Sequence, residues 1–171
     1  MSILGAGLGA LRKLLPESRT HLQAGMAAPE LGVPATDGGI VTTASLRGQV
    51  WLLYFYPKDQ TPGCTRQACD LRDNWGRIQA AGVKVYGISL DGLDDHKKFT
   101  EKHQLPFPLL ADTMGSVAER WGVLGGLGPL RMARRVSFLV DAEGRILQVF
   151  DPAATSGHTD EVLAALPRGA R

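Results

Sequence analysis

The chain of 171 residues contains only two cysteines. That is too few for the disulfide framework of a small secreted scaffold, so a reducing, cytoplasmic setting is expected. No stretch approaches the roughly 18–20 consecutive apolar residues of a transmembrane helix, and no membrane span is expected. Charge of one sign is scarce too: 19 Lys and Arg stand against 17 Asp and Glu, a formal net charge of +2. Without a basic run or stripe, nucleic acid is not an expected partner. There is no internal repeat and no long low-complexity tract, and the length suits one domain with a real core. The four histidines, His21, His96, His103 and His158, show no ligand spacing with the cysteines, and C-x-x-C pairs are missing. No metal site is expected. His96 and His103 read as neighbours on one helix face.

What the chain does have is concentrated in one stretch, YFYPKDQTPGCTRQACDLRD, residues 54–73, which holds both cysteines. Before it runs Val50-Trp51-Leu52-Leu53-Tyr54-Phe55-Tyr56, bounded by Gly48 and Pro57. An unbroken apolar run of this length reads as a central strand buried on both faces. After it, Ala68, Leu71, Trp75, Ile78 and Gln79 recur at helical spacing as far as Ala80-Ala81-Gly82. One continuous helix is therefore expected, with Thr61 as its N-cap, Pro62 at the first helical position and Gly82 past its end. Cys64 then falls in the first turn, where unpaired backbone N–H groups and the helix dipole favour an anion. The same setting favours a thiolate, the reactive form of cysteine.

Taken alone, Cys64 could still be a small buried hydrophobe. Its surroundings favour chemistry. Pro57, Pro62 and Gly63 keep bulk and backbone freedom low around the sulfur, and Thr61 can aim a hydroxyl at whatever the sulfur attacks. Cys69, five residues on, is a second thiol within reach. An oxidation sensor would need the same thiol; a dithiol-exchange enzyme would use C-x-x-C, which the four-residue gap disfavours.

The rest of the chain reads in order. Asp37-Gly38-Gly39 marks a turn between two short strands, an N-terminal hairpin. Val83–Ser89 is a second buried strand, and Asp94-Asp95-His96 opens a helix to His103. Residues 107–111 make a short strand and 116–121 a short helix. Residues 136–140 and 146–150 pair across Asp141-Ala142-Glu143-Gly144, and a helix over Asp160–Leu166 closes the chain. This order gives an α/β fold with a mixed central sheet flanked by helices. Residues 22–171 form the domain. Residues 1–21 read as a mobile extension with amphipathic character (Ile3, Leu4, Leu8, Leu11, Leu14 and Leu15 beside Arg12 and Lys13), weakened as a helix by Gly5, Gly7 and Gly9.

Pro57-x3-Thr61-x2-Cys64 resembles the active-site signature of the peroxiredoxins, thiol peroxidases on a thioredoxin-like fold. The longer stretch resembles their bacterioferritin-comigratory-protein (PrxQ) branch, and the likeness runs from about Leu22 to Leu166. It implies that Cys64 attacks a hydroperoxide and becomes a sulfenic acid. Cys69 would then condense with it to an intramolecular disulfide, and thioredoxin or a similar dithiol would reduce that bond. The resemblance also implies an arginine at the start of the strand after the variable loop, and Arg135 is the matching position. Alternation along a strand puts Arg134 and Arg135 on opposite faces, so at most one faces the sulfur. Thr61, Gly63, Cys64 and Arg135 would bind the peroxide. No metal or organic cofactor is implied, and a monomer is expected. The loop over residues 122–133 departs most from the branch, and its Gly125-Gly126-Leu127-Gly128 is assigned no role.

Overall fold

The computed structural model describes residues 19–167. The expected extension over residues 1–21 lies outside them except for its last three residues, of which Thr20 is tied to the domain. Thr20 Oγ1 donates to the Trp121 carbonyl at 2.7 Å, and its backbone N–H donates to Asp151 at 3.2 Å.

The central element is β3 (Val50–Phe55). It pairs in parallel with β4 (Val83–Ser89) and antiparallel with β8 (Val136–Val140), and the five-stranded sheet has the order β5-β4-β3-β8-β9. The outer strands are β5 (Leu109–Ala111), parallel to β4, and β9 (Ile146–Phe150), antiparallel to β8. Because side chains alternate, β3 serves two cores at once. Trp51, Leu53 and Phe55 pack on one face with Trp121, Val136 and Phe138. Leu52 and Tyr54, with Tyr56 just past the strand, pack on the other with Cys64, Ala68, Leu71 and Phe99. The N-terminal hairpin pairs β1 (Val33–Pro34) with β2 (Ile40–Val41) around the predicted turn. A mixed sheet between helices, with this hairpin ahead of it, is the architecture expected of a thioredoxin-like fold.

The long predicted helix is in fact two. α1 covers Pro62–Asp73 and α2 covers Trp75–Ala80, with a break at Asn74. Asn74 has φ −108° and ψ 17°, and its side-chain amide donates to the Asp70 carbonyl at 2.8 Å. An asparagine offers the backbone a local partner that competes with the helical ladder, which the apolar spacing alone does not reveal. Two short helices lie in the second half of the domain: α3 (Leu93–His103) and α4 (Ser116–Arg120). The closing helix α5 spans His158–Ala164, two residues earlier than expected. Its first turn is capped by Asp70 of α1, a partner distant in sequence. The loop over 122–133 is ordered as a small hairpin, β6 (Leu124–Gly125) with β7 (Met132–Ala133), closed by a 3-10 turn at Gly128–Leu130.

Candidate active site

The sheet register brings the site together. Phe55, the last residue of β3, lies opposite Val136, the first of β8. Arg135, one residue earlier, therefore emerges beside the turn that leads from β3 into α1. Pro57 opens that turn and Thr61 closes it at the N-cap position. Pro62 has no N–H, and the first helical bond runs from the Thr65 N–H to the Thr61 carbonyl at 2.9 Å. The N–H groups of Gly63 and Cys64 precede that bond and have no helical acceptor.

Cys64 is buried in the first turn, and Cys69 is half-buried farther along α1; both are free thiols. The Arg135 guanidinium donates from Nη2 to the Cys64 sulfur at 3.3 Å and from Nη1 to Gln67 Oε1 at 2.7 Å. Gln67 follows Cys64 by three residues, on the same helix face, and is fully buried. Gly63 makes the approach possible: a Cβ there would sit 3.0 Å from Arg135 Nη2. Arg134 points the other way, to Asp151 at 3.0 Å and the Gly122 carbonyl at 3.1 Å. Gly63, Cys64 and Arg135 thus converge, while Cys69 stands apart on α1.

Thr61 behaves differently from the expected cap. Its side chain accepts nothing from the helix; the hydroxyl donates to the Lys58 carbonyl at 2.7 Å. With Pro62 occupying the first helical position, the hydroxyl closes the preceding turn, which passes through Gln60 at φ 64°.

Two groups at the site escaped the sequence reading. Tyr54 buries its hydroxyl without a hydrogen-bond partner, and burial raises its pKa well above 10, with the Cys64 and Asp59 charges adding and Arg135 opposing. Gly87 leaves the room, since a Cβ there would clash with the Tyr54 ring and hydroxyl at 2.7 Å. Gln67 is the second, and its helical spacing from Cys64 was the available signal. Behind the site lies a buried polar chain. The Tyr56 hydroxyl donates to Asp59 at 2.6 Å, Asp59 meets His96 Nδ1 at 2.7 Å, and His96 Nε2 donates to the Leu110 carbonyl at 2.8 Å. His96 is thus a buried structural link; His103, seven residues on, is half-buried against the Phe99 ring.

A cysteine in a helix first turn, faced by a guanidinium and by backbone N–H groups, can hold a negative sulfur and bind the oxygens of an attacked substrate. The AhpC/TSA family model matches residues 24–149. The peroxiredoxin Bcp of Escherichia coli K12 is 46% identical over 146 residues, covering 83% of this chain and 94% of that one. Among solved structures, the peroxidoxin BcpB of Mycobacterium tuberculosis superposes with a TM-score of 0.79 at 31% identity, covering 85% of this chain and 96% of its own. A bacterioferritin comigratory protein of Xanthomonas campestris, studied for alkyl peroxide reduction, gives 0.77 at 29% identity, covering 87% and 100%.

Proposed function

The chain belongs to the AhpC/TSA family, in its Bcp and PrxQ branch, and is a thiol-dependent peroxidase; we propose that Cys64 is its attacking thiolate and Cys69 its resolving thiol. The Cys64 sulfur attacks one peroxide oxygen, the O–O bond breaks, and water or an alcohol leaves with a proton. Cys64 is left as a sulfenic acid. The Cys69 thiol then displaces its hydroxyl as water, giving a Cys64–Cys69 disulfide. An external dithiol of the thioredoxin type restores both thiols by exchange. Sulfur supplies the electrons throughout, so the cycle calls for no metal or organic cofactor.

The observation that carries this reading is the 3.3 Å contact between the Arg135 guanidinium and the Cys64 sulfur in a helix first turn. Arg135 and the Gly63 and Cys64 N–H groups would stabilise charge as the O–O bond breaks. Thr61 would act at the rim, its hydroxyl proton held by Lys58 and its lone pairs open to a peroxide proton; Pro57 would hold the turn that carries it. Hydrogen peroxide and alkyl hydroperoxides are the proposed substrates, with a monomer acting in the cytoplasm. Peroxide-dependent turnover with a thioredoxin system tests the assignment. Wild-type protein should turn over and Cys64→Ser should fall to background; substantial turnover in that variant would overturn it.

A further inference from the structure

Resting on that reading of Cys64 and Cys69, we infer that Asp70 latches the resolving segment closed, tying it to the start of α5 and setting how readily the disulfide forms. On a continuous α-helix, residues five apart differ by about 7.5 Å in height and about 140° around the axis, so their Cα atoms lie roughly 8–9 Å apart. A disulfide needs less than about 7 Å. Cys64 is 1% exposed and is held by Arg135, just before β8. Cys69 is the less buried of the two and the partner that would have to travel.

Cys69 is covalently joined to the residue that anchors this part of α1. Asp70 Oδ1 accepts from the Gly157 N–H at 3.1 Å. Its Oδ2 accepts from the Thr159 N–H at 2.9 Å and from the Thr159 hydroxyl at 2.9 Å. Thr159 is 1% exposed, so these bonds are shielded from competing water. The turn carrying Cys69 cannot rotate toward Cys64 while all three persist. When they break, the first N–H groups of α5 lose their cap. The remainder of α5 stays attached through Val162 in the core and through the hydrogen bond of His158 to Ser137 at 2.9 Å. Asp70 is thus a positioning residue for the second chemical step, in which the Cys64 S–O bond breaks, the S–S bond forms, and the hydroxyl leaves as water with the Cys69 proton. A tight latch lengthens the life of the sulfenic acid and exposes it to a second peroxide, which would carry it to sulfinic acid.

The test compares wild type, Asp70→Asn, Asp70→Ala and Val162→Ala, the last loosening α5 without touching the cap. Each is mixed rapidly with hydrogen peroxide, quenched, and read by intact mass for sulfenic acid, disulfide and sulfinic acid. Cys64 oxidation should proceed at the wild-type rate in the Asp70 variants. Disulfide formation should quicken by about five-fold in Asp70→Ala, the factor one helix cap is worth, and by less in Asp70→Asn. Sulfinic acid should require correspondingly more peroxide. Disulfide formation no faster in Asp70→Ala, or equally fast in Val162→Ala, overturns the latch. If wild type forms no Cys64–Cys69 disulfide at all, the assignment of the two thiols fails instead. Should Asp70→Ala not fold, hydrogen exchange on wild type decides: the amides of Gly157 and Thr159 should lose protection on disulfide formation, and unchanged protection refutes the coupling.

Discussion

The sulfur of Cys64 sits where three segments meet: the turn after β3, the first turn of α1, and Arg135 just before β8. Arg135 contributes the only side-chain hydrogen bond to that sulfur among the described residues. Arg135→Ala should slow oxidation of Cys64 by hydrogen peroxide by about 100-fold, the cost of removing one donor aimed at developing charge. Arg134→Ala, which loses bonds to Asp151 and Gly122, should affect stability and leave that rate near wild type. Stopped-flow rates that fall equally in both would contradict the geometry. The two arginines point apart as the sequence reading expected, but in the link between β7 and β8 rather than within a strand; Tyr54 was not legible, since nothing in an apolar run marks the hydroxyl that ends unpartnered near a thiol. His158 supplies a test away from the chemistry. Burial lowers its pKa from 6.5 and Arg135 adds to this, while Glu161 and Asp70 oppose. The unfolded chain thus binds the proton more readily, and His158 favours folding above about pH 6.5, a contribution lost as pH falls below it. Urea midpoints should be lower near pH 5.5 than near pH 7.5, with a shallower slope in His158→Gln; an unchanged slope would exclude His158 as the source.

At the scale of the element, the proposed Cys64–Cys69 disulfide requires α1 to hold two incompatible arrangements. Its closed form keeps Cys64 against Arg135 and leaves Cys69 out of bonding range by helix geometry. Peroxide should therefore unwind the segment from Gly63 to about Asp73. Asn74 already interrupts the helix there, so α2 can stay in place as the stretch before it rebuilds. Trp75, just past the break, should report the change in fluorescence over the background of Trp51 and Trp121. Dithiothreitol should reverse it, and Cys69→Ser should lack the disulfide-linked phase. Equal amide protection from Cys64 to Asp73 in the reduced and disulfide forms would refute unwinding. The helix was legible from its apolar spacing, Pro62 and Gly82. Its interruption was not, because that depends on where one amide side chain turns.

For the whole molecule, the five strands of the central sheet and the main helices were legible along the chain from apolar runs and turns, but the order β5-β4-β3-β8-β9 in which those strands pair was not. What the sequence could not show were pairings made only in three dimensions. Asp70 capping α5 moved the start of that helix from Asp160 to His158, and the 122–133 segment gained a hairpin from the pairing of Leu124 with Ala133. No described helix is long and apolar enough to cross a membrane. Thr20 bonds to Trp121 and belongs to the folded domain. Removing residues 1–18 should leave the melting temperature and the peroxidase rate near those of the full chain; loss of folded protein would show that the segment is packed structure. The central claim, that Cys64 reduces the peroxide and Cys69 resolves the product, meets its most direct test in mass spectrometry after one equivalent of hydrogen peroxide. Wild-type protein should lose two hydrogens and yield a proteolytic peptide crosslinked between Cys64 and Cys69, Cys69→Ser should gain one oxygen on Cys64, and Cys64→Ser should remain unmodified. Oxygen appearing on Cys69 in the Cys64→Ser protein at the wild-type rate, or a wild-type chain that oxidises without forming the crosslink, would contradict it.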